Sequence, residues 1–202
     1  MTENTVFDLA SLTKVTATAM SMAHLLEKGS FRLEDKVNMY IPEFQPWTDP
    51  KTGKKVDIRI IDLLTHSSGL PSYANTYELI QRYGVAHPDS LMSYINTVPR
   101  LFCPTTKYEY SCAAMTQVAK GFEHIGRSLG WENYSMPGKY DCMFHPTLTF
   151  AHTGHTGTSI LIDPVAKVAV ILLAHRVHPV DTGYVGRLRA LVHNAVGAAI
   201  IE

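Results

Sequence analysis

Apolar residues recur at three- and four-residue steps from early in the chain. Val15, Ala19, Met22, Leu25 and Leu26 fall on one helical stripe, and Gly29 stands where a C-terminal cap belongs. The pattern predicts a helix over residues 12–28 with one buried face, and Met20, Met22 and Tyr40 are expected in the core. Residues 33–42 read as loop with a short helical turn, and residues 48–55, rich in breakers, as an exposed turn. Short helices are predicted over residues 58–65, 77–83 and 89–97, the first closed by Ser67-Ser68-Gly69-Leu70-Pro71. A further helix is expected from Ser111 or Cys112 to about His124, and residues 126–147 lack a clear period and read as loop. Two apolar runs, residues 158–163 and 168–174, flank a turn at Asp163-Pro164 and predict a β-hairpin. Residues 182–201 close the chain as a helix with Val185, Leu188, Leu191, Val192 and Val196 on one face. Helices around a short antiparallel sheet define an α+β fold, expected as a single domain over residues 1–202.

Composition narrows the function classes. At 202 residues, with 46% apolar and 18% charged side chains, the chain is neither disordered nor fibrous. Lys+Arg and Asp+Glu number 18 each, so the formal net charge is zero. No electrostatic footprint for nucleic acid or an anionic membrane is present, and neither is expected as a partner. Cys103, Cys112 and Cys142 form no close Cys-x-x-Cys pair, so free thiols are expected rather than a disulfide framework or zinc ribbon. No apolar run reaches the ~20 residues of a spanning helix. The first residues, Met1-Thr-Glu-Asn-Thr-Val-Phe-Asp, show no signal-peptide pattern, and the compartment stays open.

The sharpest chemical feature is Ser11-Leu12-Thr13-Lys14 at the head of the first helix. A three-residue step places two side chains on one helix face, about 5–6 Å apart at Cβ. A serine hydroxyl needs an adjacent base to become a nucleophile, and a desolvated lysine can serve. Backbone N–H groups at the helix N-terminus suit a developing oxyanion. Taken alone, the tetrapeptide also reads as an N-cap serine followed by a solvated lysine. Two further stretches change the weighting. Tyr110-Ser111-Cys112 lies at a predicted loop-to-helix junction, where a phenol beside a lysine can relay a proton. His152-Thr153-Gly154 lies just ahead of the hairpin, where a Thr-Gly step on an edge strand lets backbone approach a substrate closely.

These stretches together resemble the serine β-lactamase and penicillin-recognising superfamily, in the branch of class C-like β-lactamases, D-alanyl-D-alanine peptidases and esterases. The resemblance is carried by Phe7-Asp-Leu-Ala-Ser-Leu-Thr-Lys, Ile61-Asp-Leu-Leu-Thr-His-Ser-Ser-Gly-Leu-Pro, Lys107-Tyr-Glu-Tyr-Ser and Gly154-His-Thr-Gly-Thr-Ser-Ile-Leu-Ile-Asp-Pro. It implies that Ser11 is the acylated nucleophile, Lys14 its proton partner and Tyr110 the group that protonates the leaving group. It implies an oxyanion hole from the N–H groups of Ser11 and His155. His152 stands where a lysine often opens the third motif, a replacement common in the esterase-like branch, and Thr153 and Gly154 complete that motif. Family members are often periplasmic or secreted. The chemistry so implied uses no cofactor.

The sequence also departs from the family. Cys112 replaces the usual Asn or Asp of the second motif, and a thiol is only a weak donor and acceptor. About ten residues precede Ser11, where the family usually has one or two strands, and about 39 separate Cys112 from His152, where it has a long helical region. The resemblance is therefore to a shortened version of the fold, and an uncovered sheet edge suggests a homodimer. The pairs His152/His155 and His175/His178, with His145, lack a completing acidic residue, so no metal site is expected, and His66 reads as a structural loop residue. The leading expectation is a serine hydrolase acting on an ester, a β-lactam or a D-Ala-D-Ala-type amide, with a small molecule or peptidoglycan-like substrate. The alternatives are a catalytically inactive relative that binds a ligand in the same cleft and an assembly subunit completed by a partner.

Overall fold

Residues 12–27 form one helical run, as the apolar stripe predicts, but its winding changes along its length. Lys14–Ala19 is π-wound, and Met20–Glu27 continues as the α-helix α1. The stripe is buried only in its first half. Val15 and Ala19 are buried, whereas Met20 and Leu25 are exposed and α1 has no buried residue. Tyr40, also expected in the core, is exposed and donates its hydroxyl proton to Asp35 Oδ2 at 2.6 Å. A phenol can end a hydrophobic pattern and still sit at the surface, because its polar tip finds a partner there.

The computed structural model describes residues 2–84, 88–112, 127–128, 130–133, 144, 148–181 and 183–200. The chain divides into two compact units: Met1–Ala17 with Gly121–Glu202, and Thr18–Lys120.

The first unit is built on a five-stranded antiparallel sheet whose strands lie side by side in chain order. Its strands are β3 (Arg127–Ser128), β4 (Trp131–Asn133), β5 (Phe150–Thr153), β6 (Ser159–Asp163) and β7 (Val168–Leu172). The expected hairpin is β6–β7, and its turn is shaped by buried Asp163, whose Oδ1 accepts from the N–H groups of Val165 and Ala166 at 2.8 and 3.0 Å. Strands β3 and β4 correct the loop expected over residues 126–147. Gly130, at φ 84°, makes the tight turn between them, and Trp131 packs edge-on against Phe150 at 5.0 Å. Strands of two and three residues are too short to show a period. Because β4 pairs with Phe150 and Ala151, β5 is an inner strand, not the edge strand expected; those pairings stop short of His152 and Thr153.

Ala151, Leu161 and Val170 share one face of the sheet with buried Phe144. Against that face packs the helix α5 (Gly186–Ile200) through Val192 and Val196. The buried stripe is rotated from the expected one: His193 and Gly197 are buried, while Leu188 and Leu191 are exposed. Side-chain alternation puts His152 and Ile160, which oppose each other in register, on the other face.

The second unit holds the hairpin β1 (Trp47–Thr48) and β2 (Lys55–Val56), which spans the predicted exposed turn. It also holds the helices α2 (Ile60–Leu64), α3 (Thr76–Tyr83) and α4 (Pro88–Thr97) near the predicted places. Phe31, Val37, Phe44, Ile58, Leu64, Leu70, Leu79, Tyr94 and Val98 are its principal buried apolar side chains. Arg59 and Asp62 close the start of α2, the Arg59 N–H donating to Asp62 Oδ2 at 2.8 Å. Arg100 is buried and stacked 4.4 Å above the Phe44 ring, and it donates to the carbonyls of Gln45, Ile95, Asn96 and Val98. It thereby satisfies carbonyls at and just beyond the C-terminus of α4, where a cation is favoured. The helix expected from Ser111 or Cys112 to His124 lies, past Cys112, outside the described residues.

Candidate active site

In the first unit, Ser11 and Lys14 meet as their spacing requires. Lys14 Nζ donates to Ser11 Oγ at 3.2 Å, and both side chains are half-buried. Ser11 does not sit within the helix but in the turn that enters it. Ala10 adopts φ 47°, a left-handed conformation that costs a non-glycine residue on the order of 1–2 kcal/mol. The turn is held by the Ala10 N–H on Asp8 Oδ1 at 2.8 Å and by three successive i→i+3 bonds, from Leu12 to Leu9, Thr13 to Ala10 and Lys14 to Ser11. The following π-winding is a feature often met at functional positions.

The segment ahead of Ser11 is fastened to the turn that follows β5. Thr156 Oγ1 donates to the Asp8 carbonyl at 2.6 Å, and Thr158 Oγ1 to the Leu9 carbonyl at 3.3 Å. Gly154 makes this approach feasible. A Cβ there would lie 2.6 Å from the Leu9 carbonyl oxygen and closer still to Thr158 Oγ1. Sequence reasoning expects the glycine to admit backbone to a substrate; in the structure the backbone it admits is that of the Ser11 segment. From α5, Arg189 donates to the Gly154 and Thr158 carbonyls at 2.9 and 3.1 Å and braces both ends of the turn.

His155 is exposed, and its ring is held between two charged side chains. Its Nε2 hydrogen-bonds Asp181 Oδ2 at 2.8 Å, and Arg176 donates to its Nδ1 at 3.0 Å. The same Arg176 nitrogen lies 3.3 Å from Nε2, and the Asp181 carboxylate, which only accepts, is the partner that calls for a proton on Nε2. That hydrogen bond, with the Arg176 charge, holds the Asp181 carboxyl below the usual carboxylate range. Arg176 also donates to the His155 carbonyl at 2.6 Å. Buried His152 directs Nδ1 to the Thr153 carbonyl at 2.9 Å; a carbonyl only accepts, so Nδ1 carries a proton.

Tyr110 and Cys112 belong to the second unit, on the segment beyond α4, which is held by the loop after α2. His66, at φ 59°, ends that helix. Its carbonyl accepts from the Glu109 N–H at 2.9 Å, and its Nδ1 accepts from the Ser111 N–H at 3.1 Å. The Ser111 hydroxyl donates to the Pro71 carbonyl at 2.6 Å, the Cys112 N–H to the Ser72 carbonyl at 2.8 Å, and the Ser72 hydroxyl to Glu109. Gly69, at φ 78°, lies so close to the Phe102 carbonyl that a Cβ could not fit. Cys112 is exposed and, like Cys103, a free thiol; Cys142 and His145 lie outside the described residues. Among the described residues, no group of His, Cys, Asp and Glu has the geometry to hold a metal ion, and no helix is long and apolar enough to cross a membrane.

The structure thus brings Ser11 to Lys14, and the Ser11 segment to the Gly154 turn. Thr156, Thr158, Arg189, Arg176 and Asp181 were not singled out in the sequence. Two threonines alternating behind Gly154 were the available hint, and the charged residues gave none.

Ser11 and Lys14 in contact, with the Ser11 segment fastened to a turn of an antiparallel sheet that α5 backs, define a serine–lysine centre on an α+β fold. The beta-lactamase family model matches residues 1–124, and the chain belongs to that family. Over 113 residues it is 36% identical to an N-acetylmuramyl-L-alanine amidase of Bacillus subtilis (strain 168), matching 55% of this chain and 26% of the relative. It is 34% identical over 113 residues to a putative D-alanyl-D-alanine carboxypeptidase of Salmonella agona (strain SL483), matching 54% of this chain and 26% of that protein. The chain therefore spans about a quarter of the length of these relatives. Among solved structures, simvastatin synthase (LovD) from Aspergillus terreus aligns with a TM-score of 0.65 at 12% identity, over 98% of this chain and 85% of that one. EstCE1, a hydrolase with promiscuous acyltransferase activity, aligns with a TM-score of 0.60 at 14% identity, over 97% and 84%. Likenesses at that identity speak for the fold alone.

Proposed function

We propose that this chain carries a serine hydrolase centre that works through an acyl-enzyme on Ser11. The observation that carries the reading is the 3.2 Å contact between Lys14 Nζ and Ser11 Oγ, set behind the left-handed turn at Ala10. In the first step Ser11 Oγ attacks a carbonyl carbon while its proton passes to Lys14 Nζ. The oxyanion so formed is held by the N–H groups of Ser11 and His155. Tyr110 delivers a proton to the departing oxygen or nitrogen, and the carbonyl re-forms as the bond to the leaving group breaks. The Lys14 ammonium returns its proton to Tyr110. Water then attacks the acyl carbon as its proton passes to Lys14 Nζ, Tyr110 protonates Ser11 Oγ as the acyl bond breaks, and Lys14 again returns a proton to Tyr110.

Two features support His155 in this role. Its residue follows Gly154 in a turn fixed by Arg189, and its carbonyl and ring are held by Arg176. An oxyanion donor gains its effect by being fixed before charge develops. Cys112, His152, Thr153 and Gly154 are assigned to the substrate side of the same centre by their positions in the second and third motifs, where Cys112 and His152 replace the usual residues. The relatives' names point to amides of cell-wall peptides, and the substrate is proposed as an ester, a β-lactam or a D-Ala-D-Ala-type amide.

Lys14→Arg tests the assignment of the base, because guanidinium keeps the charge and stays protonated. Turnover of p-nitrophenyl acetate is expected to fall by at least about a hundredfold, the low end for a positioned acid–base group. Near-normal turnover in Lys14→Arg would remove Lys14 from the role and leave it to Tyr110.

A further inference from the structure

We propose that His66 is a positioning residue for Tyr110, so that the imidazole sets where the phenol stands during proton transfer. The inference rests on the assignment of Tyr110 as the proton donor. His66 is buried at 1% exposure and grips the chain on both sides of Tyr110, through its carbonyl to the Glu109 N–H at 2.9 Å and through Nδ1 to the Ser111 N–H at 3.1 Å. The Ser111 N–H belongs to the Tyr110–Ser111 peptide and the Glu109 N–H to the peptide just before Glu109, so the two bonds hold the chain on either side of Tyr110. The Tyr110 ring lies 4.6 Å from the imidazole, tilted by 35°, and the Tyr108 ring meets the same imidazole edge-on at 5.7 Å. One buried side chain therefore fixes both the backbone and the ring of Tyr110.

The requirement on His66 is specific. The residue must tolerate φ 59°, offer an acceptor at the Nδ1 position and present a flat face to a phenol. Asparagine meets the first two, since it enters the left-handed region readily and its Oδ1 takes the place of Nδ1. Glutamine carries its amide one carbon further out and misses the Ser111 N–H. A misplacement of about 1 Å in a catalytic group is enough to cost a hundredfold in rate.

Three variants, His66→Asn, His66→Gln and Tyr110→Phe, are compared with the parent on p-nitrophenyl acetate, with kcat and KM read separately across pH and melting temperature read alongside. His66→Gln is expected to lower kcat at least tenfold below His66→Asn, with KM within twofold and the alkaline limb of the kcat profile displaced. In a Tyr110→Phe background, His66→Gln should change kcat by less than twofold. Equal kcat in His66→Asn and His66→Gln, or the same fractional loss with and without the Tyr110 hydroxyl, would overturn the inference. Unchanged turnover in Tyr110→Phe alone would instead remove Tyr110 from proton transfer, and is read separately from the His66 comparison. Because both His66 variants keep a polar side chain, a matched fall in melting temperature cannot produce a difference between them.

Discussion

At Gly154 an added methyl group would lie 2.6 Å from the Leu9 carbonyl, so either the turn or the Ser11 segment must move. The Leu9 oxygen is backbone and cannot swing away. Gly154→Ala is therefore expected to lower stability by about 1–3 kcal/mol, in the range of overpacked sites. It should also reduce p-nitrophenyl acetate turnover by at least an order of magnitude. Chemical denaturation and steady-state kinetics check the two parts, and a variant unchanged in both would show that the Gly154–Leu9 contact is dispensable. At this scale the sequence was readable where a residue's partner is near in the chain. Ser11 and Lys14 are three apart, and their contact follows from helical spacing. The fastening of Asp8 and Leu9 by Thr156 and Thr158 joins positions nearly 150 apart, and no local pattern encodes it.

Single elements divide along the same line. The helices α1, α3 and α4 and the hairpin β6–β7 were legible because each is long enough to leave a local pattern. Strands β3 and β4 were not, since they gain their pairing from β5. The depth of burial of the first helix and the rotation of α5 were misread because both depend on what packs against the helix. Two consequences can be measured. Arg100 lends four hydrogen bonds to carbonyls around the end of α4, and burial lowers its pKa to about 10. Arg100→Met should cost roughly 2–3 kcal/mol, since it leaves buried carbonyls unpaired. A loss under 0.5 kcal/mol in urea denaturation, on the scale of an ordinary surface change, would contradict that role. In α5, burial, aided by the Arg189 charge, holds the His193 pKa below its ordinary 6.5. The folded chain resists protonation there and the unfolded chain does not, so stability is complete above pH 6.5 and declines as pH falls towards the folded value. Melting temperature should drop below that pH, and less steeply in His193→Leu; identical pH slopes would rule the residue out.

For the molecule as a whole, family membership, the sheet backed by α5 and the Ser-x-x-Lys turn support one account, a hydrolytic centre on Ser11. The measurement that tests it most directly is intact-mass spectrometry after exposure to a fluorophosphonate. The account predicts one adduct per chain, mapped to the peptide containing Ser11 and absent in Ser11→Ala. No adduct on the parent chain, or one that persists in Ser11→Ala, would contradict it.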